Sequence, residues 1–351
     1  MGAEPDARFH RMKLNQLGEF GLLRRIRRRV PAWPTTIPIG IGDDAAVVRV
    51  APHRDLIVTT DMFVESVDFD PAYGSFRQLG YKALAANLSD VAAMGGRPMA
   101  FLVGLAVPGR TSVRAVDEIY HGMLSLARRH RVALIGGDTS ASPQGMLIAV
   151  TVLGEVEPGR AVTRSGARTG DRIYVTGTLG DARAGLEILK RQKRKKRLQP
   201  PAGESYLIRR HFFPAPRVAF GRLLGRRGWA TAMIDLSDGL ASDLRHLCEA
   251  GRVGARLESD RLPVSAALAA YARRLGRSAP DYALRGGEDF ELLFAVREKN
   301  AAAVEAAAKR MALSVTPIGA IVPSRRGITV IGKGGREVPL TMKGYEHFTH
   351  P

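Results

Sequence analysis

Ile234-Asp235-Leu236-Ser237-Asp238-Gly239-Leu240 reads as an apolar strand end, a tight turn of small and acidic residues, and the first residue of a helix. The same grammar recurs in Ile41-Gly42-Asp43-Asp44-Ala45-Ala46, Thr59-Thr60-Asp61 and Ile135-Gly136-Gly137-Asp138-Thr139. An aspartate at a strand end is ordinarily a turn residue or a helix cap, and any one of these segments taken alone supports no more than that. Recurrence changes the reading. Two carboxylates 4 Å apart repel by about 4 kcal/mol near a protein surface, so turns that converge need a cation between them. Hard divalent ions take oxygen ligands, and magnesium in particular uses a few carboxylates together with substrate phosphates. Asp90, in Asn87-Leu88-Ser89-Asp90-Val91, adds a fifth position in mid-helix. Its neighbours Ala85, Ala86, Ala92 and Ala93 permit close packing, although an exposed helix stripe is the plainer reading.

Outward from these turns the chain alternates strands and helices. A helical periodicity runs from Leu14 to Val30 and stops at Pro31, with Arg24, Arg25, Arg27, Arg28 and Arg29 in its last turns. Strand character follows around the Gly-Asp-Asp turn (37–50) and over 55–61. Ser75 caps a helix that Gly95-Gly96 closes; then come a strand over 101–107 and a helix over 113–130. A strand over 132–135 ends in the Gly-Gly-Asp turn, and another spans 146–156. Pro158-Gly159 and the Gly/Arg/Thr stretch to Gly170 read as a linker. Beyond it lie a strand over 172–176, a helix over 182–189, the apolar strand ending at Asp235, a helix over 239–250, a strand after Gly286-Gly287, a helix over 301–311 and two short terminal strands. Residues 190–197, Lys-Arg-Gln-Lys-Arg-Lys-Lys-Arg, are dense in like charge and are expected to form a mobile surface loop whose deletion over 191–197 leaves turnover nearly unchanged. The mixture predicts two α/β or α+β domains.

Composition bounds the function. A chain of 351 residues makes about two domains of roughly 150 residues, and 45% hydrophobic with 25% charged residues is ordinary globular usage. No apolar run is long enough to span a bilayer, and the N-terminus lacks a secretory pattern. One cysteine, Cys248, allows no internal disulfide; its place beside Leu244 and Leu247 reads as a packed thiol, and a reducing cytoplasm is expected. The net charge of +19 points to polyanionic partners without naming them. A P-loop, His-Glu-x-x-His, Gly-x-Ser-x-Gly and the protein-kinase signatures are absent. Gly286-Gly287-Glu288-Asp289-Phe290-Glu291 is a carboxylate-rich turn whose plain reading is a solvated loop. Phosphoryl transfer needs neither thiol nor imidazole, since positioning and electrostatics supply most of its catalysis.

The ordered set Gly18–Leu22, Gly42–Ala46, Thr59–Asp61, Asn87–Gly95, Gly136–Thr139, Thr163–Ala167, Asp235–Leu240, Gly286–Phe290 and Gly344–Phe348 resembles the thiamine-monophosphate kinase family. The likeness runs in order from about residue 14 to 348. It implies a two-domain PurM-like fold, α/β plus α+β: residues 1–160 would bind ATP and magnesium and dimerise, and residues 161–351 would complete the site and carry a basic insert near 190–204. It further implies ATP-dependent phosphorylation of thiamine monophosphate with several Mg2+ ions. Asp43, Thr59, Thr60, Asp61, Asp90, Asp138, Asp235 and Asp238 would form the metal shell, with Asp43, Asp90, Asp138 and Asp238 catalytic. Tyr120, Gly137, Asp138, Arg164 and Ser237 would touch ATP; Glu288 and Tyr345 would contact thiamine monophosphate. Asp68 stands where many members carry a substrate-contacting histidine, and a carboxylate there can still bind the aminopyrimidine. The acceptor is an existing phosphate monoester, already anionic, so no general base is required; the difficulty is bringing two polyanions together.

Two other readings compete. Enzymes of the same superfamily, such as aminoimidazole ribonucleotide synthetase or selenophosphate synthetase, share single motifs; against selenophosphate synthetase stands the lack of a reactive N-terminal cysteine, since Cys248 lies deep in the second half. A basic RNA-binding protein would suit the charge. Aromatics are only 6% of the chain and none lies in 190–197, so stacking platforms are lacking. The expectation is a cytoplasmic homodimeric kinase without membrane or nucleic-acid partners.

Overall fold

The structure, a computed structural model, describes residues 21, 34–40, 42–51, 53–195, 202–332 and 334–341. The expected helix over 14–30 with its arginine cluster, the end of the basic run and the Gly344–Phe348 segment with Tyr345 lie outside the described residues, apart from helical Gly21.

Two mixed sheets organise the described residues. The first contains β1 (Ala46–Ala51), β2 (Arg54–Val64), β3 (Arg97–Val107), β4 (Ala133–Ala141) and β5 (Leu147–Val156) in the order β1-β2-β5-β3-β4, antiparallel except for the β3–β4 pair. Alternation sorts its faces: Ile57, Thr59 and Phe63 of β2 and Ile148, Val150 and Val152 of β5 are buried. Against that face pack α1 (Phe76–Ala93) and α2 (Val113–His130). Gly80 and Gly122 let the helices touch backbone to backbone: a Cβ on either would meet a carbonyl oxygen of the other helix at 1.9 Å. Ser75 and Gln78 form a reciprocal capping box that starts α1.

The second sheet has the order β12-β11-β8-β10-β6-β9-β7. It is built from β6 (Arg172–Thr176), β7 (Ala230–Asp235), β8 (Val253–Glu258), β9 (Leu292–Val296), β10 (Val315–Pro323), β11 (Ile328–Ile331) and β12 (Glu337–Pro339). Around it lie α3 (Asp181–Lys195), α4 (Ala202–Phe212), α5 (Val218–Arg227), α6 (Leu240–Gly251), α7 (Ala266–Arg274), α8 (Ala279–Arg285) and α9 (Ala301–Arg310). The core around α1 continues into this half through Tyr174, Phe220, Met233 and Phe294. Helix α1 is therefore enclosed on nearly every side, which is why it is rich in alanine and lacks a polar face.

Four expectations change. The Gly-Gly-Asp segment is not a turn: β4 runs through Gly136, Gly137 and Asp138 to Ala141, paired with β3 as far as Val107. Gly137, at φ +154°, lets it through, because a Cβ there would fall 2.0 Å from the Val103 carbonyl oxygen. The segment read as a linker is pinned on both sides, Val162 N–H donating to the Met94 carbonyl and Met233 N–H to that of Thr163. The basic run is not a loop where it is described, for α3 continues to Lys195, with Arg191 paired to Glu187 one turn earlier and lying over the Tyr271 ring. Finally, α4, α5, α7 and α8 went unread, as short helices whose apolar positions are shared among several neighbours. Among the described residues no helix is long and apolar enough to cross a membrane.

Candidate active site

The carboxylates meet where the C-terminal end of α1 passes between the two sheets. Asp90 lies in the last turn of α1, Thr59 and Asp61 point from the buried face of β2 toward it, Asp44 arrives from the turn before β1, and Asp235 ends β7. Oxygen atoms of Asp44, Asp90 and Asp235 all lie within 4.8 Å of one another. The Thr59 hydroxyl donates to Asp90 Oδ2 at 2.5 Å, and Asp235 Oδ2 is buried without a hydrogen-bond partner.

This crowding governs protonation. Burial, then the charges of Asp61, Asp235 and Asp44, push the Asp90 carboxyl well above the usual carboxylate range. Asp235 is raised in the same sense, by burial first and Asp44 next. Asp61 is pushed up to about 6 by burial and by the charges of Asp44 and Asp68. One cation answers them directly. Arg164 grips Asp44 through both forks, Nη2 to Oδ1 at 2.9 Å and Nε to Oδ2 at 3.2 Å; burial opposes its charge, yet Asp44, Asp235 and Asp43 hold it firmly protonated. One guanidinium against four converging carboxylates leaves a net negative pocket lined by oxygen. That donor set, with a buried oxygen left unpaired, fits a hard divalent cation.

The expected residues distribute unevenly. Thr59, Asp61, Asp90, Asp235 and Arg164 converge. Asp43 does so only indirectly, since its carboxylate accepts the Arg164 backbone N–H at 2.7 Å and braces the arginine. Its neighbour Asp44, part of the motif but not singled out, enters the cluster instead. Thr60 is exposed, and its hydroxyl donates to the Val150 carbonyl at 3.2 Å, because adjacent strand residues face opposite ways. Ser237 and Asp238 sit half-buried in the turn after β7. The Asp238 charge is felt by Asp243, a buried carboxylate that sequence reading missed and that accepts the Gly239 N–H at 3.0 Å. Gly137 and Asp138 lie exposed on β4, at the sheet row that leads from Asp61 through Val150 and Val103, some 14 Å away across three strand spacings. Tyr120 packs on α2 against the core, outside the cluster.

A second centre lies two helical turns back along α1. Lys82, 4% exposed, donates to Glu288 Oε1 at 2.5 Å, and His211 Nδ1 stands 3.3 Å from Glu288 Oε2. Although burial pushes the Glu288 carboxyl up, Lys82 and His211 prevail and hold it well below the usual range. Lys82 and His211, with Lys190, also line a cavity of about 240 Å³ whose opposite wall is the Ser66–Ser75 loop, including Asp68 and Asp70. Asp68 accepts the Val64 N–H at 2.8 Å. The two centres are stitched together, since Glu288 N–H donates to the Ser237 carbonyl and Phe290 N–H to that of Leu236. Lys82 and His211 escaped sequence reading because a lone lysine in an alanine-rich helix and a lone histidine carry no local signal. Cys248 is buried and its thiol is pushed up to about 12, which suits packing and not nucleophilic attack.

Residues 42–156 match the AIR synthase related protein, N-terminal domain, and residues 168–332 the corresponding C-terminal domain. The chain is 40% identical over 345 residues to thiamine-monophosphate kinase of Escherichia coli K12, covering 95% of this chain and 99% of that one. It is 36% identical over 332 residues to that of Bacillus subtilis, covering 95% and 100%. Among solved structures it resembles AaThiL complexed with AMPPCP and TMP, with a TM-score of 0.82 and 34% identity over 96% of this chain and 99% of that one. Hydrogenase maturation protein HypE in complex with ATP shares the fold at a TM-score of 0.67 and 21% identity, covering 84% of this chain and 87% of that one.

Proposed function

The chain belongs to the thiamine-monophosphate kinase family of AIR synthase related proteins, and on that premise we propose that it transfers the γ-phosphoryl group of ATP to thiamine monophosphate, yielding thiamine diphosphate. The observation that carries the reading is the convergence of Asp44, Asp90 and Asp235, with Asp235 Oδ2 unsatisfied, at the junction of the two sheets. Mg2+ held by Asp44, Asp61, Asp90 and Asp235 would neutralise two polyanions and align them for in-line displacement. The chain's own residues supply the rest. Arg164 offers a fixed guanidinium beside the phosphates once Asp44 shares its charge with a metal. The acceptor phosphate is already anionic at neutral pH, so the site needs no group to remove a proton. Glu288 and the cavity beside it receive the ring end of the substrate, and Asp68 stands on the facing wall as a second acceptor for an aminopyrimidine. Tyr345 is assigned to the same substrate, and Tyr120 with Gly137, Asp138 and Ser237 to ATP, by the family pattern. Asp43, Asp138 and Asp238 complete the proposed metal and catalytic set by the same pattern, and Thr60, whose side chain faces away from the cluster, is assigned to it by that pattern alone.

A homodimer is part of the proposal. Met62 on β2 and Ile135 on β4 are 58% and 57% exposed, and β4 lies almost wholly open at the sheet edge. A second copy covering them would remove an open apolar edge and enclose Gly137 and Asp138. The domain division is placed at residues 160/161, and the cytoplasm, with its supply of ATP and Mg2+, is the compartment assigned. The test is ADP release from Mg-ATP with thiamine monophosphate, compared with free thiamine and with aminoimidazole precursors. Turnover with thiamine monophosphate alone is expected; equal rates with an aminoimidazole precursor would refute the substrate assignment.

A further inference from the structure

Lys82 is the least expected residue in α1. Its neighbours along the helix are apolar or small, it is 4% exposed, and its ammonium is spent on one partner, the Glu288 carboxylate at 2.5 Å. A buried ammonium is costly unless paired, so its retention calls for a purpose beyond packing. Glu288 is the unusual member of the pair. It holds a left-handed conformation, φ +66°, directly after Gly286-Gly287, a backbone state strained for a non-glycine residue. Its N–H is tied to the Ser237 carbonyl, so its main chain moves with the turn that carries Asp235 and Asp238. Its side chain, 30% exposed, is held between Lys82 and His211, the two residues that also line the cavity.

Helix α1 also sets a distance. Lys82 and Asp90 are two turns apart, about 12 Å at 1.5 Å per residue. A single rigid, enclosed helix thus fixes the spacing between the carboxylate cluster and the ammonium that orients Glu288. A substrate with a ring system at one end and a phosphate at the other would be measured against that rod.

Resting on the kinase reading above, we propose that Lys82, backed by His211, is a positioning residue that fixes the Glu288 carboxylate at the edge of the cavity those two residues line, so that the pair governs capture of the ring end of the phosphorylated substrate and not phosphoryl transfer itself. Neither residue needs to touch the substrate's phosphate. Lys82 acts through Glu288, and His211 closes the far side of the same carboxylate. Burial and the nearby Lys82 ammonium lower the His211 basicity, so Lys82 is the larger source of charge on the carboxylate.

Steady-state ADP release by the full chain, with thiamine monophosphate and ATP varied separately, tests this. Lys82→Met is expected to raise KM for thiamine monophosphate by about 10- to 100-fold, as truncating one partner of a desolvated charge pair does. KM for ATP should stay the same and kcat should change far less. Lys82→Arg should recover a substantial part of the loss. The double variant Lys82→Met with Glu288→Gln should be no worse than Glu288→Gln alone, since the lysine works only through that carboxylate; it also leaves no unpaired buried charge if the single variant folds poorly. Unchanged kinetics in Lys82→Met, a loss confined to kcat or to ATP, or multiplying losses in the double variant would each overturn the assignment. Wild-type protein that releases no ADP with thiamine monophosphate overturns the kinase reading and this inference with it; an active wild type with an indifferent Lys82→Met overturns this inference alone.

Discussion

Two groups of buried acids, both reached from the second sheet, are treated in opposite ways. Glu291, just before β9 and fully buried, receives Arg217 through Nε and Nη2 at 2.5 Å each, Arg210 Nη2 at 2.9 Å and the Thr176 hydroxyl at 2.6 Å. The group formed by Asp44, Asp61, Asp90 and Asp235 receives one arginine and one threonine hydroxyl, with the Ser89 hydroxyl near Asp235, and Asp235 Oδ2 has no hydrogen-bond partner. The first network is charge-compensated, although Arg210 Nε is buried without a hydrogen-bond partner, 3.7 Å from Asp181 Oδ2. It ties α4 and the segment before α5 to the sheet, with its carboxylate fully engaged by cations and a hydroxyl. The second is overcharged, and its surplus carboxylates stay in place because the surrounding fold holds them there. Acidic burial alone therefore does not mark a site; burial without compensation does.

The comparison can be broken from either side. The largest effect is expected at the compensated network. Glu291→Gln leaves two guanidiniums facing an uncharged amide and should cost roughly 3–5 kcal/mol of stability, read as a shift in the urea unfolding midpoint; a shift near zero would remove the contrast. Asp90→Asn comes next. It should lower kcat for ADP release by about 10²–10³-fold while the thermal midpoint without metal holds or rises, because a like charge has gone. Activity close to wild type would deny Asp90 its part in the cation site.

A smaller effect concerns pH. Asp61 is raised to about 6. An acid raised on folding keeps its proton in the native state after the unfolded chain has lost it. Its contribution is therefore most favourable below the ordinary value of 3.8 and is lost as pH climbs through about 6. Without metal, stability should fall by roughly 2 kcal/mol over that window, discounted for solvent. Asp61→Asn should flatten the curve, and added Mg2+ should restore the lost stability near neutral pH. A curve identical in the wild type and Asp61→Asn would contradict the crowding. The smallest effect lies far from both groups. Arg191→Ala removes the pair with Glu187 and the contact over Tyr271, and should cost about 0.5 kcal/mol with kcat unchanged.

Apart from Asp90, the aspartates of the site were legible because each sits in a short local pattern of apolar run, small residues and acid. Asp61 and Asp235 could be singled out in this way and do converge; Asp90, within a helix among alanines, was marked by its small neighbours and the family pattern. The choice between neighbours was not legible. Asp43 and Asp44 are equivalent in the sequence, and only the placement of Arg164, some 120 residues later, turns Asp44 into the cluster and Asp43 toward a backbone N–H. Thr59 and Thr60 differ by strand parity, which is fixed by pairing with β5 across the sheet and not by either residue.

The sequence by itself determined the alternation of strands and helices, the alanine-rich α1, the acidic turns and the family pattern. Each depends on spacing along the chain, and spacing survives without a fold. Tertiary structure alone decided that the basic run begins as a continuation of α3, that the Gly-Gly-Asp segment is strand, and that Lys82 meets Glu288 from 206 residues away. Those outcomes follow from through-space burial and charge: an ammonium seeks the nearest carboxylate in three dimensions, and nothing in the local sequence records which one that is.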